Sequence, residues 1–481
     1  MNSNGRSSAR VFLLIIFVAT TILSWGQLFT ITPYLQAGQG HNFKRERKVV
    51  IWQTDSTAAD FKLEFHKGKR EDFVHGVKTA KIRKSTIKFG KTTYNLYRAT
   101  LDGLDFDHEY HYRLKIGDRV MFIQGFRTRT KQHSVKFAAF GDCGAGSEGQ
   151  AAVAFQVSLR NPDFVLLTGD QVYSSGTVQE YMGRFFPFYM SPNANPKRGA
   201  PLMQKIPFLM TLGNHDIRAN DLRAYPDGMA YYYYNDLPQN GPHPGYAPEI
   251  LGKEEQLKSF IEASDNRFPV IGNYAYRNGN VHIINLDANP YVNPEDPVLV
   301  EWMRDQFKGN THDWRIVAFH HPGFNSSNAH YNYQNMRKLS PLFEELGVNL
   351  VINGHVHNYQ RSVPLKFAPE KDSEGKFRMT SEGRVDGTFT LDEKFDGKAV
   401  TKAEGIIYIV TGAGGATLYD AEISNKPALW EHFPRSNWVP FTARLISDKY
   451  SFSWIETEGK TLKWKQIDSE GNILDEFTLT R

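Results

Sequence analysis

Two spacings of apolar residues divide the chain. From about residue 28 to 129, short apolar runs alternate with polar positions, the period of a strand with one buried face. Val49 to Thr54 (V-V-I-W-Q-T) and Phe61 to Phe65 are two such runs, and no stretch there carries a helical spacing. After Thr128 to His133 the pattern changes. Apolar strands are predicted at Val135 to Phe140, Phe164 to Thr168, Phe208 to Leu212, Ile316 to Phe319, Leu350 to Asn353 and Ile406 to Val410. Helices are predicted at Gln150 to Arg160, Val298 to Phe307 and Met336 to Leu346, with Pro297 where a first helical turn tolerates it. Alternation of this kind means a layered α/β domain. Such folds place their chemistry in loops at the carboxyl ends of the strands.

Two long connections interrupt the pattern. Ile217 to Ala263 carries four consecutive tyrosines, Tyr231 to Tyr234. It is read either as a wall of a substrate cleft or as an insertion with its own small core. Lys366 to Lys402 is polar and charged and is read as a solvated excursion.

Length adds that 481 residues suffice for two or three domains. The N-terminus has a different character. Arg6 and Arg10 precede a 15-residue apolar run, Val11 to Trp25, which is short for a membrane span. Ser24 and Gly26 are small residues at the spacing of a signal-peptidase site, so residues 1–26 are read as a signal peptide. An uncleaved anchor is the alternative. Removing that segment takes two arginines and no acids, lowering the net charge from +5 to +3. Neither value indicates nucleic acid as a specific partner, which needs a clustered basic face. The mature chain is read as having no membrane span. Cys143 is the one cysteine, so no disulfide closes within the chain. The reading is of an exported protein, periplasmic or secreted, held together by its core. Asn325-Ser326-Ser327 is a single glycosylation sequon.

Chemistry concentrates in five motifs, each after an apolar run. They are G-D-C-G (Gly141 to Gly144), G-D-Q-V-Y (Gly169 to Tyr173), G-N-H-D (Gly213 to Asp216), V-A-F-H (Val317 to His320) and G-H-V-H (Gly354 to His357). A carboxylate shared by two cations holds them roughly 3.5–4 Å apart, and Asp170 is the candidate bridge. Asp142, Tyr173 and His357 would complete a first site of two carboxylates, a phenolate and an imidazole. That hard, anionic set favours ferric iron. Asn214, His320 and His355 would share Asp170 in a second site suited to zinc, ferrous iron or manganese. The V-x-x-H register selects His320 over its neighbour, leaving His321 a supporting or structural role. Cys143 should point away from Asp142 in an extended segment, which makes it a packing residue.

These motifs resemble those of the purple acid phosphatases, a branch of the metallophosphoesterases with a ferric–divalent centre. Many metallophosphoesterases begin with D-x-H; here the third position is Gly144, and the resemblance assigns the missing ligand to Tyr173. It implies a four-layer αββα metallophosphoesterase sandwich over residues 134–481. The preceding segment, 28–129, resembles a fibronectin type III sandwich, because Leu104 lies six residues before Tyr110 as in a tyrosine corner. The resemblance further implies that His215 contacts the phosphate and that His330 binds substrate and protonates the leaving group. The chain departs from the family at Ala329, where many plant relatives have histidine, and at Gln360, where Y-E-R is common. The function implied is an acid phosphatase acting on small phosphate monoesters, with water activated between the two cations. A phosphodiesterase or nucleotide pyrophosphatase on the same metals is a second reading. A surface-binding protein with an inactive catalytic domain is a third.

Overall fold

The computed structural model describes residues 28–38, 45–89, 91–242, 248–309, 314–381, 383–420 and 440–481. The expected signal peptide, residues 1–26, lies outside them.

The N-terminal unit is a sandwich of two four-stranded antiparallel sheets. One sheet orders the strands Phe29–Gln36, Glu46–Thr54, Thr92–Leu104 and Ile82–Phe89; the other orders Lys78–Ala80, Phe61–Lys67, Glu109–Ile116 and Arg119–Arg127. Alternate residues meet between them: Val50, Trp52, Tyr97 and Leu101 from one sheet pack on Phe61, Leu63, Tyr112 and Leu114 from the other. Each such side chain contributes roughly 1.5–3 kcal/mol when taken fully out of water. The Tyr110 hydroxyl accepts a hydrogen bond from the Asp105 amide at 3.0 Å, and Leu104 is buried beside it. That is the tyrosine corner read from L-D-F-D-H-E-Y.

The larger unit is built on two further sheets. A six-stranded sheet has the order Phe208–Met210, Phe164–Leu167, Ser134–Phe140, Ser451–Glu458, Thr461–Asp468, Ile473–Thr480. A seven-stranded sheet has the order Tyr274–Asn278, Val281–Asn285, Trp314–Ala318, Leu350–Asn353, Ile407–Thr411, Tyr359–Ser362, Thr442–Ile446. The first three strands of the six-stranded sheet run parallel, as do Val281–Asn285 through Ile407–Thr411 in the other. Period-two alternation sorts the side chains. Ile316, Ala318, Leu350, Ile352, Ile407 and Ile409 join Phe137, Phe164 and Leu166 in the core between the sheets. Val317, Val351 and Tyr408 point the other way, onto Leu299, Met303, Leu342 and Phe343 of the covering helices. The helix Glu148–Arg160 lies against the strand Ser451–Glu458 of the six-stranded sheet. The layers therefore run helix, sheet, sheet, helix.

Helix ends follow local chemistry. Ser147 caps Glu148–Arg160 by accepting from the Gln150 amide at 3.0 Å, and Asn161 closes it in the left-handed conformation. Pro297 opens Pro297–Phe307. The helix expected over Met336 to Leu346 is two pieces, a 3-10 turn Asn335–Leu339 and an α-helix Ser340–Glu345. Pro341 explains the break, since its missing N–H suits only a first helical turn.

Both long connections differ from the expectations. Tyr231–Tyr234 form one helical turn, and all four are buried. The Tyr231 hydroxyl donates to the Met210 and Ile271 carbonyls, each at 3.1 Å. The Tyr234 hydroxyl donates to Gln53 Oε1 at 2.9 Å, and the Tyr34 hydroxyl donates to the Tyr234 carbonyl at 2.7 Å. The tyrosines belong to the main core and join it to the sandwich; they are neither a cleft wall nor a separate core. The segment Lys366 to Lys402 is not simply a solvated excursion. Leu365–Pro369 and Gly387–Leu391 pair as a hairpin, and Phe367, Val385 and Phe395 are buried.

Candidate metal centre

All five motifs leave the carboxyl ends of core strands. G-D-C-G follows Ser134–Phe140, G-D-Q-V-Y follows Phe164–Leu167, G-N-H-D follows Phe208–Met210, and the two histidine motifs follow Trp314–Ala318 and Leu350–Asn353. The chain turns sharply there. Asp142, Asp170, His330 and His355 have φ of 55°, 49°, 58° and 69°. Such left-handed conformations cost side-chain-bearing residues on the order of 1–3 kcal/mol and gather at functional sites.

The turns bring seven predicted ligands into two adjoining groups. In the first, the Tyr173 hydroxyl lies 3.1 Å from Asp142 Oδ1 and 3.1 Å from His357 Nε2. His357 Nε2 is 3.5 Å from the same Asp142 oxygen. In the second, His320 Nε2 lies 3.1 Å from Asn214 Oδ1 and 3.3 Å from Asp170 Oδ1. His355 stands beside it, with ring centroids 5.0 Å apart. Asp142, Asp170 and His320 offer donor atoms within 4.8 Å of one another. His320, His321 and His355 make a second set by the same measure.

Backbone groups fix these side chains. His320 Nδ1 bonds the Thr168 carbonyl at 2.7 Å, and His357 Nδ1 bonds the Thr417 carbonyl at 2.6 Å. Each ring therefore presents Nε2 as the free donor to the centre. Asp142 Oδ2 accepts the His355 amide at 2.8 Å, and Asp170 Oδ1 accepts the His215 amide at 2.9 Å. His215 Nδ1 bonds the Ser174 carbonyl at 2.8 Å, leaving Nε2 4.0 Å from Asp170 Oδ2. His330 is at the exposed rim, its ring 4.2 Å from that of His355. Cys143 is buried in the core, and burial pushes its thiol pKa up.

Two glycines are sterically required. A Cβ on Gly144 would overlap the Gln171 carbonyl, so no histidine fits at the third position of G-D-C-G. A Cβ on Gly169, at φ 96°, would overlap the His320 ring.

Electrostatics show what the pocket lacks. Burial and the Asp170 charge push the Asp142 carboxyl well above its usual range, against the pull of His320. Burial disfavours the His320 imidazolium, yet Asp170 carries its pKa up to about 9. Burial, Asp142 and Asp170 together raise the Tyr173 phenol. Among the described residues no lysine or arginine forms an ion pair with Asp142 or Asp170. Two buried carboxylates, a phenol, an amide oxygen and imidazoles, without a fixed cation, form a donor set that fits metal ions.

Residues 135–359 match the family model for calcineurin-like phosphoesterases. The chain carries a calcineurin-like phosphoesterase domain. The matched domain and the phosphatases among the relatives below support hydrolysis of phosphate esters. The chain is 25% identical over 411 residues to a phosphoenolpyruvate phosphatase of Allium cepa, covering 80% of this chain and 71% of the relative. It is 26% identical over 356 residues to purple acid phosphatase 1 of Ipomoea batatas, covering 71% of this chain and 61% of the relative. The fold is similar to that of a purple acid phosphatase from yellow lupin (Lupinus luteus) seeds. That likeness has a TM-score of 0.61 at 15% identity and covers 93% of this chain and 74% of the lupin chain. These findings bear out the resemblance carried by the motifs. Among the described residues, no helix is long and apolar enough to cross a membrane.

Three residues of the phosphoesterase domain and its surroundings escaped the sequence reading. Asp216 accepts the amides of Gln171 and Gly213, each at 2.9 Å, and so ties two motif loops together. Burial and the Asp170 charge push its pKa up to about 7. Tyr419 stacks on His357 with centroids 4.0 Å apart and planes 10° apart. Asp420 Oδ2 accepts the amides of Asn328 and Ala329 at 2.9 and 3.3 Å, holding the loop that carries His330. Asp216 was visible as the last letter of G-N-H-D. Tyr419 and Asp420 lie some 60 residues beyond the last motif and carry no local signal.

Proposed function

We propose that the chain is an exported acid phosphatase, a metal-dependent phosphoric monoester hydrolase with a ferric–divalent centre. The observation that carries this reading is the meeting of Tyr173, His357 and Asp142, with the phenol oxygen 3.1 Å from each partner. Gly144 supports it, because the D-x-H alternative has no room. In this reading Asp142, Asp170, Tyr173 and His357 hold ferric iron. Asp170, Asn214, His320 and His355 hold zinc, ferrous iron or manganese. When bound, the cation pair neutralises phosphoryl charge and lowers the pKa of a water.

The chain's own residues supply the rest. His215, anchored through Nδ1, offers Nε2 to a phosphoryl oxygen. His330, at the rim, donates a proton to the departing ester oxygen. Asp216 keeps the Asp170 and Asn214 loops in register, so that donors wait in place before substrate arrives. Residues 134–481 act as the catalytic domain and 28–129 as a supporting sandwich. Residues 1–26 direct export to the periplasm or beyond the cell. The substrates are small phosphorylated molecules.

The test is direct. Purified protein should contain iron and a second metal and show a visible charge-transfer band. It should hydrolyse p-nitrophenyl phosphate faster than bis(p-nitrophenyl) phosphate at acidic pH. Colourless, iron-free protein with full monoesterase activity overturns the centre, and a preference for the diester overturns the substrate class.

A further inference from the structure

His321 follows His320 directly, yet both side chains face the same way. The strand Trp314–Ala318 has ended, and residues 320 and 321 lie in a bend. A continuing strand would send neighbours to opposite faces; the bend lifts that restriction. The ring of His321 lies 4.9 Å from that of His320 and 4.4 Å from that of His355. Donor atoms of all three histidines fall within 4.8 Å of one another. His321 is 3% exposed. Its Nδ1 has no hydrogen-bond partner. Buried polar nitrogens are normally satisfied, and one left bare beside two other imidazoles points to a shared ligand.

We propose that His321 is a metal-binding residue, its Nδ1 giving the second half-site a third imidazole beside His320 and His355. Three nitrogen donors beside the Asp170 carboxylate and the Asn214 amide oxygen fit zinc, which takes imidazole readily, before manganese, which favours oxygen. This inference rests on the dinuclear reading given above. The competing role is packing, since the Tyr333 ring lies 4.8 Å from that of His321.

X-ray absorption at the zinc edge separates the two roles, because it reads the number of imidazoles per zinc. The full-length chain is loaded with one equivalent of zinc, as wild type and as His321→Leu and His321→Asn. The count should fall by one in both variants, and the zinc affinity measured by chelator competition should fall at least about tenfold in His321→Leu. His321→Asn can place an amide oxygen near the lost nitrogen and should keep part of that affinity. An unchanged imidazole count in a folded variant overturns the inference and leaves the dinuclear reading standing. Wild-type protein that takes up no zinc overturns both.

Discussion

The Tyr173 hydroxyl lies 3.1 Å from Nε2 of His357. These residues are 184 positions apart and come from the two different sheets of the core. Neither can move far: Thr417 holds the His357 ring, and the Tyr173 amide donates to the Gly144 carbonyl at 3.2 Å.

Tyr173→Phe should remove the visible band and lower iron content while leaving the fold intact. The ring stays and only the hydroxyl goes, so the change in stability should stay near 1 kcal/mol. Visible absorption and metal analysis on the same sample check this. A band that survives shows that Tyr173 is not the coloured ligand.

Asp170→Asn should deplete both metals together, because Asp170 lies against His320 of the second group and within 4.8 Å of Asp142 of the first. An amide also removes the bridging charge. Loss of one metal with full retention of the other argues against a bridge.

Gln360→Glu should destabilise the protein by about 1–3 kcal/mol and raise KM. Gln360 Nε2 donates to Asn325 Oδ1 and Asn358 Oδ1, each at 2.9 Å, and Oε1 accepts the Ser326 amide at 2.6 Å. A carboxylate can accept but cannot donate. The glutamate common at this position in the family would therefore meet two acceptors here. Thermal unfolding together with steady-state kinetics tests the prediction, and an unchanged Tm would show the network to be unimportant.

His282 sets an acid limit on stability. Burial lowers its pKa from 6.5 to about 3, with Arg277 and Arg315 adding to the effect. The unfolded chain binds a proton below about pH 6.5 that the folded chain refuses. The stabilising contribution is thus complete above that pH and falls by about 1.4 kcal/mol per pH unit down toward pH 3. His282→Phe should flatten this slope. Melting temperatures at pH 7 and pH 4.5 measure it, and an equal difference in variant and wild type would refute the assignment.

The sequence exposed the site better than it exposed the supports. Apolar runs ending in Gly-Asp or Gly-His mark Asp142, Asp170, His355 and His357, because a buried strand must precede a rigid ligand. The carbonyls of Thr168 and Thr417 do as much to orient His320 and His357, and a carbonyl has no letter of its own. Tyr231 to Tyr234 misled because four equal residues have no period. Their hydroxyls reach Met210, Ile271 and Gln53, which makes full burial tolerable. Phe367, Val385 and Phe395 pin a segment whose polar composition hid them. His321 was passed over because the V-x-x-H register selects His320.

The sandwich is not an appendage. Ile31, Tyr34, Val49 and Ile51 face away from its interior and belong to the core of the larger unit. Arg98 reaches across to the Tyr233 and Ala263 carbonyls. A shortened chain starting at residue 134 would bare that greasy seam to solvent, so it should precipitate rather than survive as a minimal enzyme. Calorimetry of the intact molecule should accordingly record a single endotherm spanning both units.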